Sequence, residues 1–565
     1  MYTGATEARR PYRLPAIMLL AVFYCVTSCR RFDSKETNEQ EAPWFTNVTV
    51  ASKIDFQHMS GHRARQHYLP EIMGGGVGLL DFDQDGWLDI YFVQSGSLYT
   101  TDGESAGNRL FRNLGNGSFV DVSQNANVAD IGYGMGCASG DIDGDGDTDI
   151  YVTNVGPNVM YVNNGDGTFT AATKSTGTGD PLWSTSASFL DFDKDGHLDL
   201  YVANYVRWSR ATEKTCLIHG RPSYCFPKNY PPSPDTLYRN RGDGTFENVT
   251  SKAGLHQAFG NGLGVACGDF NDDGWVDVYV ANDATNNQLW INQGDGTFVD
   301  QALITGCAVN GQGLTEAGMG VQAMDIEHDG DLDLFVTHLR RETNTLYRNH
   351  QGDFTDVTDQ VGLATPSLPF TGFGLGAIDF DHDGNLDLFV ANGRVVWAEP
   401  QYDSIDPYAE PNQLFVGESS GTFRENKTFV GKTETTTATS RGAAFGDLDN
   451  DGDVDIVVVN RDQRPEILQN NAESRHHWIQ FHVLNRQGSL AVGARLQIIA
   501  AGRTQRREVG TGYSYCSSND PRVHFGLAAH SADLTVDVQW PDGSEQTFGP
   551  LKVDQQYELR QGSEN

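Results

Sequence analysis

Seven acidic nonapeptides stand along this 565-residue chain, and their side-chain oxygens are the atoms best placed by type and spacing to do chemistry. The first carries Asp81, Asp83, Asp85 and Asp89, the second Asp141, Asp143, Asp145 and Asp149, and the third Asp191, Asp193, Asp195 and Asp199. The fourth has Asp269, Asn271, Asp273 and Asp277, and the fifth Asp325, Glu327, Asp329 and Asp333. Asp379, Asp381, Asp383 and Asp387 form the sixth, and Asp447, Asp449, Asp451 and Asp455 the seventh. Each set fills positions 1, 3, 5 and 9 around a glycine at position 6. Calcium takes six to eight oxygens, and glycine permits the turn that folds the ligands inward. An EF-hand would add a bidentate glutamate at position 12 and flanking helices. Here strand-like runs such as Ile90-Tyr91-Phe92-Val93 follow instead, so the expectation is about seven structural calcium sites on β-hairpins, with the carbonyl at position 7 as a further ligand. Four carboxylates held close repel one another, and a dication turns that repulsion into a clamp. Affinity is expected in the extracellular range, roughly 0.1–1 mM. Loop five is expected to bind least well, because Glu327 is one methylene longer at position 3.

The charge balance follows from these loops. Of the 28 ligand positions 27 are Asp or Glu, more than a third of the 75 acidic residues, in a chain of formal net charge −35. The acids are therefore concentrated where dications would neutralise them. Nucleic acid is excluded as a partner, since its binding rests on clustered Lys and Arg.

Residues 1–28 read as a lipoprotein signal peptide. Arg9, Arg10 and Arg13 precede an apolar stretch, Leu14 to Val26, too short to span a membrane comfortably. It ends in Val26-Thr27-Ser28-Cys29, which resembles the bacterial lipobox, with Cys29 as the lipidated residue. Residues 29–43 form a polar tether. Membrane contact is expected through this anchor alone, with the protein secreted and held at the bacterial outer membrane or cell surface. Cys216 and Cys225 lie close in one insertion and are expected to form a disulfide in an oxidising compartment.

The loops need a scaffold. Their spacing of 50 to 78 residues suits propeller blades. Each unit runs from a glycine-rich segment into the loop, then a strand, a second strand such as Leu237-Tyr238-Arg239-Asn240, a Gly-Asp-Gly or Gly-Asn-Gly turn, and a short last strand. Four strands per unit predict a seven-bladed β-propeller over residues 44–471. The seventh unit lacks its last strand, and Phe45-Thr46-Asn47-Val48-Thr49 supplies it from the other end of the chain. Residues 474–562 alternate like a small β-sandwich, so the fold class is all-β throughout.

The seven loops resemble FG-GAP/VCBS repeats, found also in integrin α-subunit propellers. Tyr68-Leu69-Pro70-Glu71-Ile72-Met73-Gly74, leading into the first loop, resembles the cartilage acidic protein family and its bacterial relatives. Val492-Gly493-Ala494-Arg495, Gly512-Tyr513-Ser514-Tyr515, His524-Phe525-Gly526-Leu527 and Val538-Gln539-Trp540-Pro541-Asp542-Gly543 resemble the ASPIC/UnbV domain. Cys516 departs from that pattern, beside a stretch where Leu-Ser-Gln is usual.

Two insertions, 205–235 and 393–412, break the repeat on the face opposite the acidic loops. They bring Tyr205, Arg207, Trp208, Tyr224 and Tyr230, then Arg394, Trp397 and Tyr402, and aromatics with arginines on loops suit recognition of a polysaccharide or a protein. No nucleophile elbow, phosphate loop or HExxH motif occurs, and no catalytic residue is assigned. His58, His62 and His67 cluster before the first blade without an acidic partner set by spacing. The expected function is therefore a calcium-binding adhesion or binding module. The alternative is an extracellular calcium-dependent polysaccharide lyase or hydrolase.

Overall fold

The computed structural model describes residues 42–63, 66–98, 106–397, 405–431 and 436–563. Seven sheets of four antiparallel strands fill the stretch from Phe45 to Asn470. In the first, Val77–Leu80 lies at the axis, followed outward by Asp89–Phe92, Arg109–Asn113 and Phe119–Asp121. The corresponding inner strands are Gly134–Gly140, Ser184–Leu190, Gly262–Gly268, Val321–Met324, Gly372–Ile378 and Ser440–Gly446. Each touches the next and the last touches the first, which closes the ring of a seven-bladed propeller. Apolar residues from adjacent blades interlock between them, as Phe82, Tyr91 and Val93 do with Cys137, Ile150 and Val152.

The ring is closed by both chain ends. Phe45–Asn47 pairs antiparallel with Glu466–Asn470, Phe45 opposite Asn470, and becomes the outer strand of the seventh blade. Phe45 is 1% exposed and stands edge-on to Phe380 with ring centroids 5.3 Å apart. A sheet edge that would otherwise stay unpaired is thereby covered.

Beyond Asn470 the chain forms two packed sheets. Trp478–Leu484 lies between Val523–Gly526 and Gln555–Arg560, and Arg495–Ala500 and Leu534–Gln539 are the central strands of a four-stranded sheet edged by Arg503–Glu508 and Glu545–Leu551. The alternation in Leu534–Gln539 is strict, with Leu534, Val536 and Val538 inside and Thr535, Asp537 and Gln539 outside. Phe481, Leu496, Phe525 and Trp540 join them in the core of this sandwich.

This small domain sits on the acidic-loop face, here the upper face, and sends residues 510–520 down the propeller axis. Ser514 exchanges backbone hydrogen bonds with Val321 (2.9 and 3.2 Å), and Ser518 donates to Val77 O and accepts from Leu79 N (both 3.0 Å). The Ser514 hydroxyl donates to Ala443 O (2.9 Å) and accepts from Leu375 N (3.0 Å), while Cys516 N donates to Ser186 Oγ (2.9 Å). Cys137 N adds a bond to Cys516 O at 3.3 Å, so six of the seven inner strands grip this finger. Gly76 and Gly136 allow the approach: a Cβ on either would lie 2.2 or 2.7 Å from the Cys516 carbonyl oxygen. From the lower face the turn Leu69–Ile72 and the buried Arg441 enter the same axis, Arg441 donating to Ile72 O at 2.6 Å. The axis is filled from both ends.

Candidate functional site

The upper-face loops share one wiring. Position 6 is glycine at φ +85° to +97° in all seven, a conformation L side chains rarely adopt. The amide of that glycine donates to the position-1 aspartate, at 2.8 Å for Gly86 to Asp81 and 2.7 Å for Gly274 to Asp269. The position-9 aspartate is buried and takes two amides. Asp89 Oδ2 accepts from Phe82 N (3.1 Å) and Oδ1 from Asn113 N (2.7 Å), and the other loops repeat both bonds, with Gly417 standing where Asn113 does in loop six. Burial pushes these carboxyls up, to about 8 in Asp89, Asp149 and Asp277 and about 9 in Asp199 and Asp333.

Whether the loops fit a hard dication is decided by their leftover oxygens. Asp83 Oδ1, Asp193 Oδ1, Glu327 Oε2 and Asp449 Oδ1 are buried with no hydrogen-bond partner, and all four stand at position 3. Asp379 Oδ1, at position 1, is in the same condition. Carboxylate oxygens gather within 4.8 Å of one another in Asp81, Asp83 and Asp85, in Asp141, Asp143 and Asp149, in Asp191, Asp193 and Asp199, and in Asp379, Asp381 and Asp387. A buried acceptor without a donor is costly, and a cation among them removes the cost. The donor set fits calcium.

Arginines differentiate the loops. Arg112 and Arg239, from the third strands of blades one and three, each bridge positions 3 and 5, and Arg348 meets Glu327 at 2.6 Å in loop five. Loop four is held from the C-terminal domain: Arg495 reaches Asp269 at 2.7 Å and Asp272 at 3.1 Å. Arg503 donates to Asn385 Oδ1 (2.7 Å) beside loop six, and Arg522 to Asp447 O (2.7 Å) in loop seven. A basic strand edge thus docks on the acidic face.

Sequence reasoning missed one residue type. An asparagine stands last or next to last in the third strand of six units, and its side-chain amide ties blades together. Asn240 Nδ2 donates to Leu198 O in its own loop (3.1 Å) and to Ile142 O in the preceding blade (2.8 Å). Asn113, Asn163, Asn292, Asn349 and Asn470 reach the preceding blade in the same way. Their recurrence in the Leu-Tyr-Arg-Asn segments was the available signal.

On the lower face the insertion aromatics are not a presented surface. Tyr205 (0% exposed), Tyr224 (3%), Tyr230 (5%) and Trp397 (4%) form one core cluster with Leu69, Met73 and Tyr515. The three phenol hydroxyls are engaged. Tyr205 Oη donates to Asp283 (2.5 Å), and Glu213 collects both Trp208 Nε1 and Tyr230 Oη at 2.5 Å. Arg394 is half-buried and paired with Glu410 at 2.7 Å. The rings expected to serve recognition are thus packed inward: the insertions seal the axis, and the rings are the apolar material available to do it. Arg207 is exposed and Trp208 half-buried, whereas Tyr402 and Cys29 lie outside the described residues. Cys216 and Cys225 are bonded, across the hairpin Cys216–Ile218 and Arg221–Ser223. Around it the insertion presents Arg207, Arg210, Lys214, Arg221 and Lys228, with Leu217 61% and Phe226 37% exposed.

Comparison with known proteins agrees with this architecture. A family model described as FG-GAP-like repeat matches residues 81–152, 141–202, 229–280, 269–336, 325–390 and 395–458, and the ASPIC and UnbV model matches 485–565. Cartilage acidic protein 1 of Xenopus tropicalis is 27% identical over 319 residues, 54% of this chain and 45% of that protein. The Homo sapiens protein of that name is 25% identical over 334 residues, 55% and 45% of the two chains. The chain thus spans under half the length of the curated relatives it matches. Among solved structures, an Agrocybe aegerita lectin recognising non-reducing terminal N-acetylglucosamine has a TM-score of 0.37 at 17% identity, over 65% of this chain and 81% of the lectin. YCF48 bound to D1 peptide has a TM-score of 0.39 at 7% identity, over 74% and 97%. Likenesses this distant speak neither for nor against a ligand.

Proposed function

Because the chain belongs to the FG-GAP-like repeat family and ends in an ASPIC and UnbV domain, we propose that it is an extracellular binding module, stiffened by calcium and holding an acidic polysaccharide on its lower face. The charge of the first insertion carries this reading. Residues 205–235 contain five Lys and Arg against two acids, in a chain whose formal net charge is −35. All five are exposed, and exposed Leu217 and Phe226 lie among them. Cationic groups with apolar neighbours on a rigid disulfide hairpin suit a carboxylated sugar chain. The upper face is less available, since the C-terminal domain docks over loops four to seven. Calcium would take the orphaned position-3 oxygens and hold the blades in register. Lipidation at Cys29 would keep the module at the outer membrane or cell surface.

The test is binding of polygalacturonate by calorimetry in millimolar calcium, with the double variant Arg207→Glu, Arg221→Glu. Surface charge pairs contribute up to ~1 kcal/mol each, so the two reversals should weaken binding about tenfold. High salt should weaken the native protein likewise. Equal affinity in the variant, or binding to an acidic protein and to none of a panel of acidic polysaccharides, would overturn the assignment.

A further inference from the structure

The link from the closing strand to the first blade crosses the lower face and carries His62, His67 and Glu71 to one point. His62 Nδ1 lies 3.0 Å from Glu71 Oε2 and 2.9 Å from the Tyr224 hydroxyl, which the first insertion brings from 162 positions away. The His67 ring stands 5.0 Å, centroid to centroid, from both His62 and Tyr224, and His62 and Tyr224 are 5.8 Å apart. Three rings therefore surround one small volume, with a carboxylate beside it. The Glu71 side chain has no solvent exposure, its Oε2 also accepts from Tyr68 N at 3.3 Å, and its Oε1 is buried without a hydrogen-bond partner.

We propose that His62, His67, Glu71 and Tyr224 bind one first-row transition-metal dication of the zinc or copper type, at a site separate from the acidic loops. The donor chemistry selects this class. Two imidazoles, a carboxylate and a phenol are nitrogen and oxygen donors of the kind zinc and copper take, whereas calcium requires a shell of oxygens. A single proton on His62 Nδ1 serves Glu71 and Tyr224 only by being shared, and Glu71 Oε1 has no donor at all; a metal ion held by these groups would supply the missing positive charge. Arg461 is the nearby competing cation. Its guanidinium is placed over the Tyr408 ring at 4.7 Å and pairs with Asp462 at 3.3 Å, while its charge also acts on the Glu71 carboxylate. The His62 side chain is 27% exposed, so the site has an open side toward solvent, as metal sites that exchange a water or small ligand do.

The site is tested on the full, untagged chain, stripped with chelator and then saturated with calcium. Titration with Zn2+ should give one equivalent bound beyond the calcium sites. Cu2+ should give an electron paramagnetic resonance spectrum with coupling to two nitrogens. The double variant His62→Ala, His67→Ala should weaken Zn2+ binding by more than about a hundredfold and abolish the nitrogen coupling, since it removes ligands, whose loss exceeds the 10–100-fold typical of outer-shell partners. Asp81→Asn in the first acidic loop should leave it unchanged. Absence of a bound equivalent in the calcium-saturated native protein, or a copper spectrum without nitrogen coupling, would overturn the proposal. The copper spectrum of the native chain decides the matter even if the double variant does not fold.

Discussion

The Tyr515 hydroxyl donates to the Met73 carbonyl oxygen at 2.8 Å, joining residues 442 positions apart inside the propeller axis. One comes from the tip of the C-terminal finger and the other from the turn that enters from the opposite face. Tyr515 has no exposed surface, and Phe373 stands edge-on to its ring at 5.0 Å. The C-terminal domain is by this contact a structural part of the propeller. Replacing Tyr515 by Ala should cost ~3–5 kcal/mol, the usual loss for a large buried ring, and Tyr515→Phe only ~1 kcal/mol for the hydrogen bond. Denaturant unfolding of the two variants checks this. Equal effects would mean that the ring contributes no packing of its own.

The interblade asparagines make a second prediction. Asn240→Ala leaves the Ile142 and Leu198 carbonyls without their donor, and removes the acceptor that Asn240 Oδ1 offers to Gly242 N at 3.0 Å. Each orphaned buried group costs ~1–3 kcal/mol, so a loss of several kcal/mol is expected. Gly417 occupies the equivalent place in blade six, and the blade five to blade six junction lacks this tie. Hydrogen exchange should find Ile326 and its neighbours opening more readily than Ile142 and its neighbours.

How far the sequence reached can be read from the same residues. Strand order and blade number were legible because the loop repeats seven times, and the Phe45 strand was legible because one unit lacked its partner. The finger was not. Gly512-Tyr513-Ser514-Tyr515 has no repeat to be compared with, and its burial depends on contacts with six distant strands. The lower-face aromatics show the limit from the other side. Tyr224 and Trp397 have the composition of a binding loop, and only the three-dimensional course of the insertions reveals that they pack inward. The same course brings Glu71 to His62, nine residues away, in a turn that spacing alone did not disclose.

Calcium removal provides the third prediction. By mass action a loop at ten times its dissociation constant gains ~1.4 kcal/mol, and several loops add to several kcal/mol. Chelation should therefore lower Tm markedly, and millimolar calcium should restore it. Asp199→Asn keeps the shape of a fully buried carboxylate that accepts from Phe192 N and Asn240 N at 3.1 and 2.8 Å, but removes its charge. That variant should lose one calcium in a stoichiometric titration. An unchanged Tm on chelation would contradict the stiffening role.

Acid sensitivity is predicted from His58. This imidazole is fully buried below the first blade, with Nε2 3.1 Å from Ser95 Oγ. Burial pushes its pKa down from 6.5 to about 4, against the opposing pull of Asp462 and aided by Arg461 and Arg441. In the unfolded chain the same ring takes a proton near 6.5, so between pH 6.5 and 4 the unfolded state binds more protons than the folded one. The contribution is complete above about pH 6.5 and is lost as the pH falls toward 4, amounting to ~3 kcal/mol at most. His58→Gln retains a donor toward Ser95 and does not titrate. In calcium-saturated protein, the drop in Tm between pH 7 and pH 4.5 should be several degrees smaller in that variant than in the native chain. Equal drops would show that the lower-face cap is not what acid releases.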